Sequence, residues 1–119
     1  RRLNRAAAVL TELGELLERQ GKQICAIVLE PLVQAAGGML THDVSFVKGV
    51  RALCDEYGVL MICDEVATGV GRTGRMWAVD HAEVTPDLWV RAAPDEPSST
   101  VTRTRRTRCA RLPRSPTLT

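Results

Sequence analysis

Two short, unbroken apolar segments constrain the fold of this chain more than any other feature. Residues 24–29 (ICAIVL) and residues 59–63 (VLMIC) are entirely apolar, and an acid follows each directly, Glu30 or Asp64. Continuous apolar runs of this length are typical of parallel strands that are buried on both faces. We therefore predict two buried strands, each of which ends at a carboxylate.

The segment between the two strands predicts a helix. Asp43 stands at an N-cap position, apolar residues recur on one helical face over residues 44–57, and Gly58 is placed to end the helix. The order strand, helix, strand is a βαβ unit with parallel strands. Since parallel strands end at one edge of a sheet, Glu30 and Asp64 should share the edge where ligands bind in open α/β folds.

The remaining segments complete an α/β fold, with a partial parallel sheet and flanking helices. Residues 3–17 predict an amphipathic helix that ends near Gly21 and lies on the sheet. Residues 32–41 contain two consecutive glycines and predict a loop. Further along, residues 76–81 predict a short helical turn, and residues 88–90 begin a third apolar run.

The C-terminal quarter of the chain differs sharply in composition. Residues 1–90 carry nine basic and twelve acidic side chains, a net charge of −3, whereas residues 91–119 carry seven arginines and two acids, a net charge of +5. Four of the six prolines also lie in residues 91–119. Such a segment has too little apolar surface to offset the entropy of ordering. We predict a folded unit over residues 1–90 and a disordered Arg/Pro/Ser/Thr-rich tail over residues 91–119.

Several classes of protein are disfavoured by what the sequence lacks. No apolar run approaches 18 residues and no secretory segment is present, so we expect a cytoplasmic protein without a membrane association. The four cysteines form no C-x-x-C pair and have no metal-ligand spacing, so we expect neither a disulfide framework nor a metal site. The sequence begins with Arg1 and not with methionine, and we expect a fragment of a longer protein.

Three kinds of site could follow the second strand, where Asp64 and Glu65 precede a glycine-rich segment. A magnesium-binding Walker B strand requires a G-x-x-x-x-G-K-[ST] loop, which the sequence lacks. Residues 69–74 match the dinucleotide motif G-x-G-x-x-G, but five residues, two of them acids, separate the motif from the strand. A strand-end carboxylate could instead keep a pyridinium nitrogen protonated. The residue pattern alone does not decide among the three.

Two blocks of sequence resemble the signatures of class III aminotransferases, which are pyridoxal-phosphate enzymes of fold type I. They are residues 30–39 (EPLVQAAGGM) and residues 64–74 (DEVATGVGRTG), and the resemblance extends over about residues 5–90. It implies a fragment of the large domain of a homodimeric transaminase that acts on a small-molecule substrate. Within the family, the VQxAGGM segment and Ala67 resemble the biotin-pathway branch that uses S-adenosylmethionine; a relative acting on an ω-amino acid or diamine is the alternative.

The resemblance also implies roles for individual residues. Asp64 would bind the pyridinium nitrogen of pyridoxal 5'-phosphate, and Val66 would pack against the cofactor ring. Three further residues would act structurally near the site: Glu30 would tie the strand end to neighbouring loops, Glu65 would hold the loop by hydrogen bonds, and Arg72 would pin the glycine-rich turn. His42 and His81 are expected at the surface or behind the site.

The sequence departs from the family at the lysine that binds the cofactor covalently. This lysine would follow the Pro-Asp pair of the third strand and is expected near Ala93, but no lysine occurs after Lys48. We therefore assign no catalytic residue and expect an inactive fragment whose binding of pyridoxal phosphate is doubtful. Because the composition changes abruptly near Arg91, our hypothesis is that residues 91–119 arise from a shifted reading frame.

The basic tail leaves one non-enzymatic alternative. Arginine-rich segments bind nucleic acids or anionic surfaces electrostatically. Residues 91–119 contain no aromatic side chain that could stack on bases, so we expect no nucleic-acid binding.

Overall fold

A computed structural model describes residues 2–92 and 99–103. The elements in chain order are α1 (Arg2–Gln20), a 3-10 turn (Gly21–Gln23), β1 (Ala26–Leu29), β2 (Val33–Gln34), β3 (Leu40–Thr41), α2 (Val44–Tyr57), β4 (Leu60–Asp64), a 3-10 helix (Ala78–Ala82), β5 (Leu88–Ala92) and β6 (Ser99–Arg103). One sheet has the strand order β1-β4-β5-β6, and β2 pairs with β3. None of the described helices combines the length and apolarity that crossing a bilayer requires.

The predicted βαβ unit is confirmed. β1 and β4 run parallel, and Leu29 is the register partner of Cys63. The helix between them starts where the Asp43 carboxylate accepts the Ser45 N–H at 2.8 Å, and it ends at Gly58, which adopts φ 67°. That left-handed conformation suits glycine because it has no Cβ. Glu30 and Asp64, which follow Leu29 and Cys63 in the chain, therefore lie at the same edge of the sheet.

The core lies between α2 and the central strand β4. Its fully buried apolar side chains are Val47, Val50 and Cys54 of α2, Met61 and Cys63 of β4, and Val79 and Ala82 of the 3-10 helix. Leu10 and Leu13 of α1 pack against this cluster from the outside. Since burying a side chain of valine or methionine size contributes about 1.5–3 kcal/mol, this cluster dominates the stability of the unit.

The prediction that both strands are buried on both faces is wrong. Along β4, Met61 and Cys63 are buried while the residues between and beside them are half-buried. On β1, Val28 is 64% exposed. Within the described residues β1 pairs only with β4, and the core cluster covers one face of the sheet. The apolar runs therefore lie in half-buried strands.

Two segments predicted to be irregular contain strands. Residues 32–41 form a hairpin in which Val33 pairs with Thr41. β5 continues through Ala92 and pairs antiparallel with β6, which is rich in β-branched residues. The prediction of disorder therefore does not hold for residues 91–92 and 99–103. Residues 93–98 and 104–119 lie outside the described part of the chain, and the proposed boundary at residue 90 stays a prediction.

Candidate functional site

The carboxylate of Asp64 stands at the end of the central strand. Asp64 is the last residue of β4 and is in register with Val90 of β5. Its Oδ1 accepts the backbone N–H of Val66 at 3.1 Å, which folds the chain back directly after the strand. Among the described residues, nothing donates a hydrogen bond to the second carboxylate oxygen. The half-buried side chain therefore presents a fixed negative charge with a free acceptor at the strand-end edge.

Val66 lies beside this carboxylate and exposes its apolar side chain. The hydrogen bond to Asp64 fixes its backbone, and 41% of the residue's surface is exposed. An exposed β-branched residue next to an acid is a suitable surface for a flat, cationic ring, because the apolar contact excludes water and strengthens the charge interaction.

Glu65 turns away from the edge and into the protein. It is 1% exposed, its Oε1 accepts the backbone N–H of Ala78, and its Oε2 accepts the indole N–H of Trp89 at 2.9 Å. Burial raises the pKa of Glu65, and the hydrogen bonds from Ala78 and Trp89 oppose that rise. The side chain thus joins the loop after β4 to the 3-10 helix and to β5, and it is not accessible to a ligand.

Glu30 holds the neighbouring strand end. Its Oε2 accepts the backbone N–H of Ala35 at 2.9 Å, which ties the end of β1 to the segment after β2. Because Leu29 is in register with Cys63, Glu30 and Asp64 follow adjacent strand positions. The structure therefore brings Glu30, Asp64 and Val66 to one edge.

Arg72 lies at the surface of the glycine-rich segment. Its side chain is exposed and forms no hydrogen bond or ion pair with another residue of the described part of the chain. The glycine-rich turn is held instead by Nε2 of His81, 2.8 Å from the carbonyl oxygen of Thr73, and by the Arg75 guanidinium, 3.3 Å from the carbonyl oxygen of Asp80. Nothing in the local pattern distinguishes Arg72 from Arg75, and the role of Arg72 at the glycine-rich turn stays a prediction.

A buried ion pair that sequence analysis missed fixes β4 and the residues just before β5. Oδ2 of Asp87 accepts the Met61 backbone N–H at 2.8 Å and the Arg51 guanidinium at 3.0 Å. The Asp87 N–H in turn donates to the Met61 carbonyl oxygen at 2.8 Å. The sequence predicted only a turn at the Pro-Asp pair, because the two hydrogen-bond partners of the Asp87 side chain lie 26 and 36 residues away in the chain.

The residues present fit part of a pyridoxal-phosphate site. Asp64 could hold a protonated ring nitrogen and Val66 could cover the ring. The two lysines of the chain, Lys22 in the 3-10 turn and Lys48 on the exposed side of α2, do not lie on the loops after β4 or β5. Across the described residues there is no group of three or more His, Cys, Asp or Glu side chains that could hold a metal ion.

Comparison with known proteins identifies the family. Residues 2–93 match the aminotransferase class-III family. The chain belongs to the class III aminotransferases. Consistent with this membership, the α/β architecture is that of the fold type I transaminases. A Plasmodium falciparum ornithine delta-aminotransferase is 39% identical, with a TM-score of 0.64 over 69% of this chain and 21% of its own. A thermostable (S)-enantioselective omega-transaminase from Thermomicrobium roseum is 36% identical, with a TM-score of 0.69 over 76% of this chain and 20% of its own.

Curated relatives of this class III chain carry a more specific name. The adenosylmethionine-8-amino-7-oxononanoate aminotransferase of Geobacter sulfurreducens is 51% identical over 79 residues, which are 66% of this chain and 17% of the relative. The enzyme of the same name from Staphylococcus aureus is 47% identical over 81 residues, 68% of this chain and 18% of the relative. The chain thus spans less than a fifth of the length of these relatives.

Proposed function

We propose that this chain is the part of an aminotransferase that contacts the ring of the cofactor. The complete enzyme would transfer an amino group from S-adenosylmethionine to 8-amino-7-oxononanoate in biotin biosynthesis. The observation that carries the proposal is the Asp64 carboxylate, held at the end of β4 with one oxygen bound to Val66 and the other open. The names of the relatives that are 47–51% identical support the choice of substrates. We further propose that the enzyme is a cytoplasmic homodimer.

In this proposal each residue at the edge has a separate task. Asp64 would accept a hydrogen bond from the ring N–H, and its charge would favour the protonated nitrogen. Val66 would pack against the ring, which would lower the local dielectric constant and strengthen that interaction. When bound, pyridoxal phosphate supplies an electron sink for amino-group transfer. Glu65 and Glu30 would act indirectly, because their hydrogen bonds to Ala78, Trp89 and Ala35 fix the loops that follow the two strands.

This chain lacks the lysine that would attach the cofactor covalently. The family lysine would fall near Ala93, which lies outside the described residues, and no residue after Lys48 is a lysine. One carboxylate and one apolar contact hold a ring only weakly, so we propose that the chain by itself does not catalyse the transfer.

A chimera tests whether this segment supports the proposed reaction. The 79 matched residues of the Geobacter sulfurreducens relative are replaced by those of this chain, so that the relative supplies the remainder of the enzyme. We expect amination of 8-amino-7-oxononanoate with S-adenosylmethionine as donor. A chimera that works only with ornithine or another ω-amino donor would instead favour the alternative, to which the ornithine and omega-transaminase structures point.

Variants of the chimera test Asp64 itself. Asp64→Asn keeps the size of the side chain and removes its charge, so the ring nitrogen is no longer held protonated and amino transfer should fall at least 100-fold, of the order seen when a key electrostatic contact is removed. Glu56→Gln, an exposed change on α2, is the matched control and should leave activity unchanged. Full activity of Asp64→Asn would remove the basis of the proposal.

The unmodified chain provides the complementary test. It is mixed with pyridoxal phosphate, reduced with borohydride and mapped by peptide mass spectrometry. We expect no modification confined to a single residue. A reduced adduct at one defined residue would show that the chain binds the cofactor covalently without the family lysine.

A further inference from the structure

The base of the β2–β3 hairpin is closed by one pair of residues, Leu32 and His42. The backbone N–H of His42 donates to the Leu32 carbonyl oxygen at 2.9 Å. In the other direction, the Leu32 N–H donates to Nε2 of the His42 ring at 2.9 Å. A backbone N–H can only donate, so Nε2 must carry a lone pair and the ring must be neutral with its proton on Nδ1.

This pair holds a backbone conformation that a leucine adopts only at a cost. Leu32 has φ 66°, in the left-handed region. A residue other than glycine is destabilised there by about 1–2 kcal/mol because its Cβ approaches the following carbonyl oxygen. Pro31, directly before it, is fully buried. The strained turn is therefore fixed on one side by a buried proline and on the other by the imidazole.

We propose that His42 is a pH-sensitive positioning residue, which holds the Leu32 turn, and with it the loop bound by Glu30, only while its ring is neutral. Protonation of Nε2 replaces the acceptor by an N–H, so two donors face each other and the hydrogen bond from Leu32 is lost. Leu32 lies between Glu30 and Ala35, whose hydrogen bond closes the same loop. Release of the turn would therefore loosen Glu30 beside Asp64.

The surroundings of the His42 ring determine the pH at which it becomes protonated. The ring is half-buried and lies edge-on to Phe46, with the ring centroids 5.0 Å apart. Its charged neighbours are Asp43 at the start of α2 and Arg5 of α1, which line the same cavity of about 480 Å³. The end of β1 contributes Glu30, whose carboxylate is bound to the Ala35 N–H. Burial lowers the pKa of His42, and the charge of Asp43 opposes this effect without reversing it.

The direction of the pH effect follows from that lowered pKa. The folded chain favours the neutral ring more than the unfolded chain does. The stabilisation is therefore fully present above the ordinary histidine pKa of about 6.5 and is lost as the pH falls through the lower pKa of the folded state. The turn should be closed at neutral pH and open under acidic conditions.

Hydrogen exchange of the complete 119-residue chain tests the proposal without any cofactor. The exchange of the Leu32 amide, corrected for the intrinsic effect of pH, is followed from about pH 8 to pH 5 while the His42 ring is titrated by NMR. We expect the protection of Leu32 to fall about tenfold per pH unit below the pKa of the ring, because the neutral fraction falls by that factor. The amides of Ile62 and Cys63 in β4 should stay protected and report that the unit remains folded.

Variants separate titration of the ring from a merely structural role. The side chain of His42→Gln places an uncharged acceptor at a similar reach, so Leu32 should remain protected and its protection should no longer depend on pH. His42→Ala should lose the protection at every pH. His81→Gln is the matched control, because the His81 ring contacts the Thr73 carbonyl oxygen and does not contact Leu32. Leu32 protection that stays constant while His42 titrates, or pH dependence that persists in His42→Gln, would overturn the proposal.

Discussion

The guanidinium of Arg51 and the carboxylate of Asp87 lie 3.0 Å apart and tie helix α2 to the start of β5. Both side chains are largely buried, at 10% and 15% exposed. Burial lowers the pKa of Arg51, but the hydrogen bond to Asp87 and the charges of Asp87 and Asp55 outweigh it, so the pKa lies above its usual value. Because Asp87 also accepts the Met61 N–H, the pair fixes the alignment of β5 with β4, on which the Asp64 edge depends.

Removing one member of this pair should destabilise the unit strongly. Arg51→Met removes the guanidinium from the largely buried Asp87 carboxylate, and deleting one member of a buried ion pair typically costs about 3–5 kcal/mol. That is a large share of the about 5–15 kcal/mol that stabilises an ordinary domain. Urea unfolding followed by circular dichroism measures the loss as a lower midpoint. The matched control is Asp55→Asn, because Asp55 is 60% exposed and its pairing with Arg51 should contribute less than about 1 kcal/mol. Equal losses for both variants would show that Asp87 is not the main partner.

Glu65 should stabilise the loop after β4, because its carboxylate accepts hydrogen bonds from Ala78, from Trp89 and, at 3.5 Å, from the Thr68 hydroxyl. In Glu65→Gln the amide oxygen can accept from either Ala78 or Trp89, but the amide nitrogen then faces the other donor. An unsatisfied buried group costs about 1–3 kcal/mol, so the unfolding midpoint should fall. Tryptophan fluorescence should also change, because the Trp89 indole loses its acceptor and lies 5.9 Å from the Trp77 ring. Glu56→Gln on the exposed side of α2 should change neither quantity. A Glu65→Gln variant of unchanged stability would mean that the carboxylate is already protonated when buried.

The success of sequence reasoning on the βαβ unit has a local cause. Asp43, Gly58 and the apolar face of α2 are signals that act within a few residues, and two apolar runs flanking such a helix leave few other arrangements. The hairpin at residues 33–41 lacked such a signal, because its closure depends on Leu32 meeting a side chain ten residues away. β6 was missed for a related reason: its ordering comes from the edge of β5 and not from its own apolar content.

In the candidate site too, features set by local sequence could be predicted, and contacts between distant residues could not. That Asp64 and Glu30 share an edge could be predicted, since parallel pairing places strand ends together. The inward direction of Glu65 follows from the alternation of side chains in extended backbone. The contacts of His81, Arg75 and Arg51 could not be predicted, because each depends on where a long side chain reaches after the elements have packed.

Gly69 should be sensitive to the smallest possible substitution. A Cβ at this position would lie 2.7 Å from the Glu65 carbonyl oxygen and 2.7 Å from the Trp77 ring, and the carbonyl oxygen belongs to backbone that cannot easily move. Gly69→Ala should therefore cost about 1–3 kcal/mol, as overpacking typically does, and should alter the tryptophan fluorescence. The control is Gly14→Ala in α1, where the Cβ would meet only Leu53 at an ordinary 3.6 Å. Alanine is favoured over glycine within a helix by about 1 kcal/mol, so this variant should be more stable. Destabilisation by both changes to a similar extent would contradict the loop geometry.

The cysteines report directly on whether the sheet and helix pack as described. Cys25 is exposed, whereas Cys54 in α2 and Cys63 in β4 are buried. Burial raises the pKa of Cys54 to about 11 and that of Cys63 to about 12. Because the thiolate is the reactive form, alkylation at about pH 8 should modify Cys25 at least 100-fold faster than the two buried thiols. Peptide mass spectrometry resolves the sites, and urea above the unfolding midpoint should make the rates of Cys25, Cys54 and Cys63 similar. Fast labelling of Cys63 in native buffer would mean that β4 is not covered by α2, and Asp64 would then lack the rigid strand on which its proposed role depends.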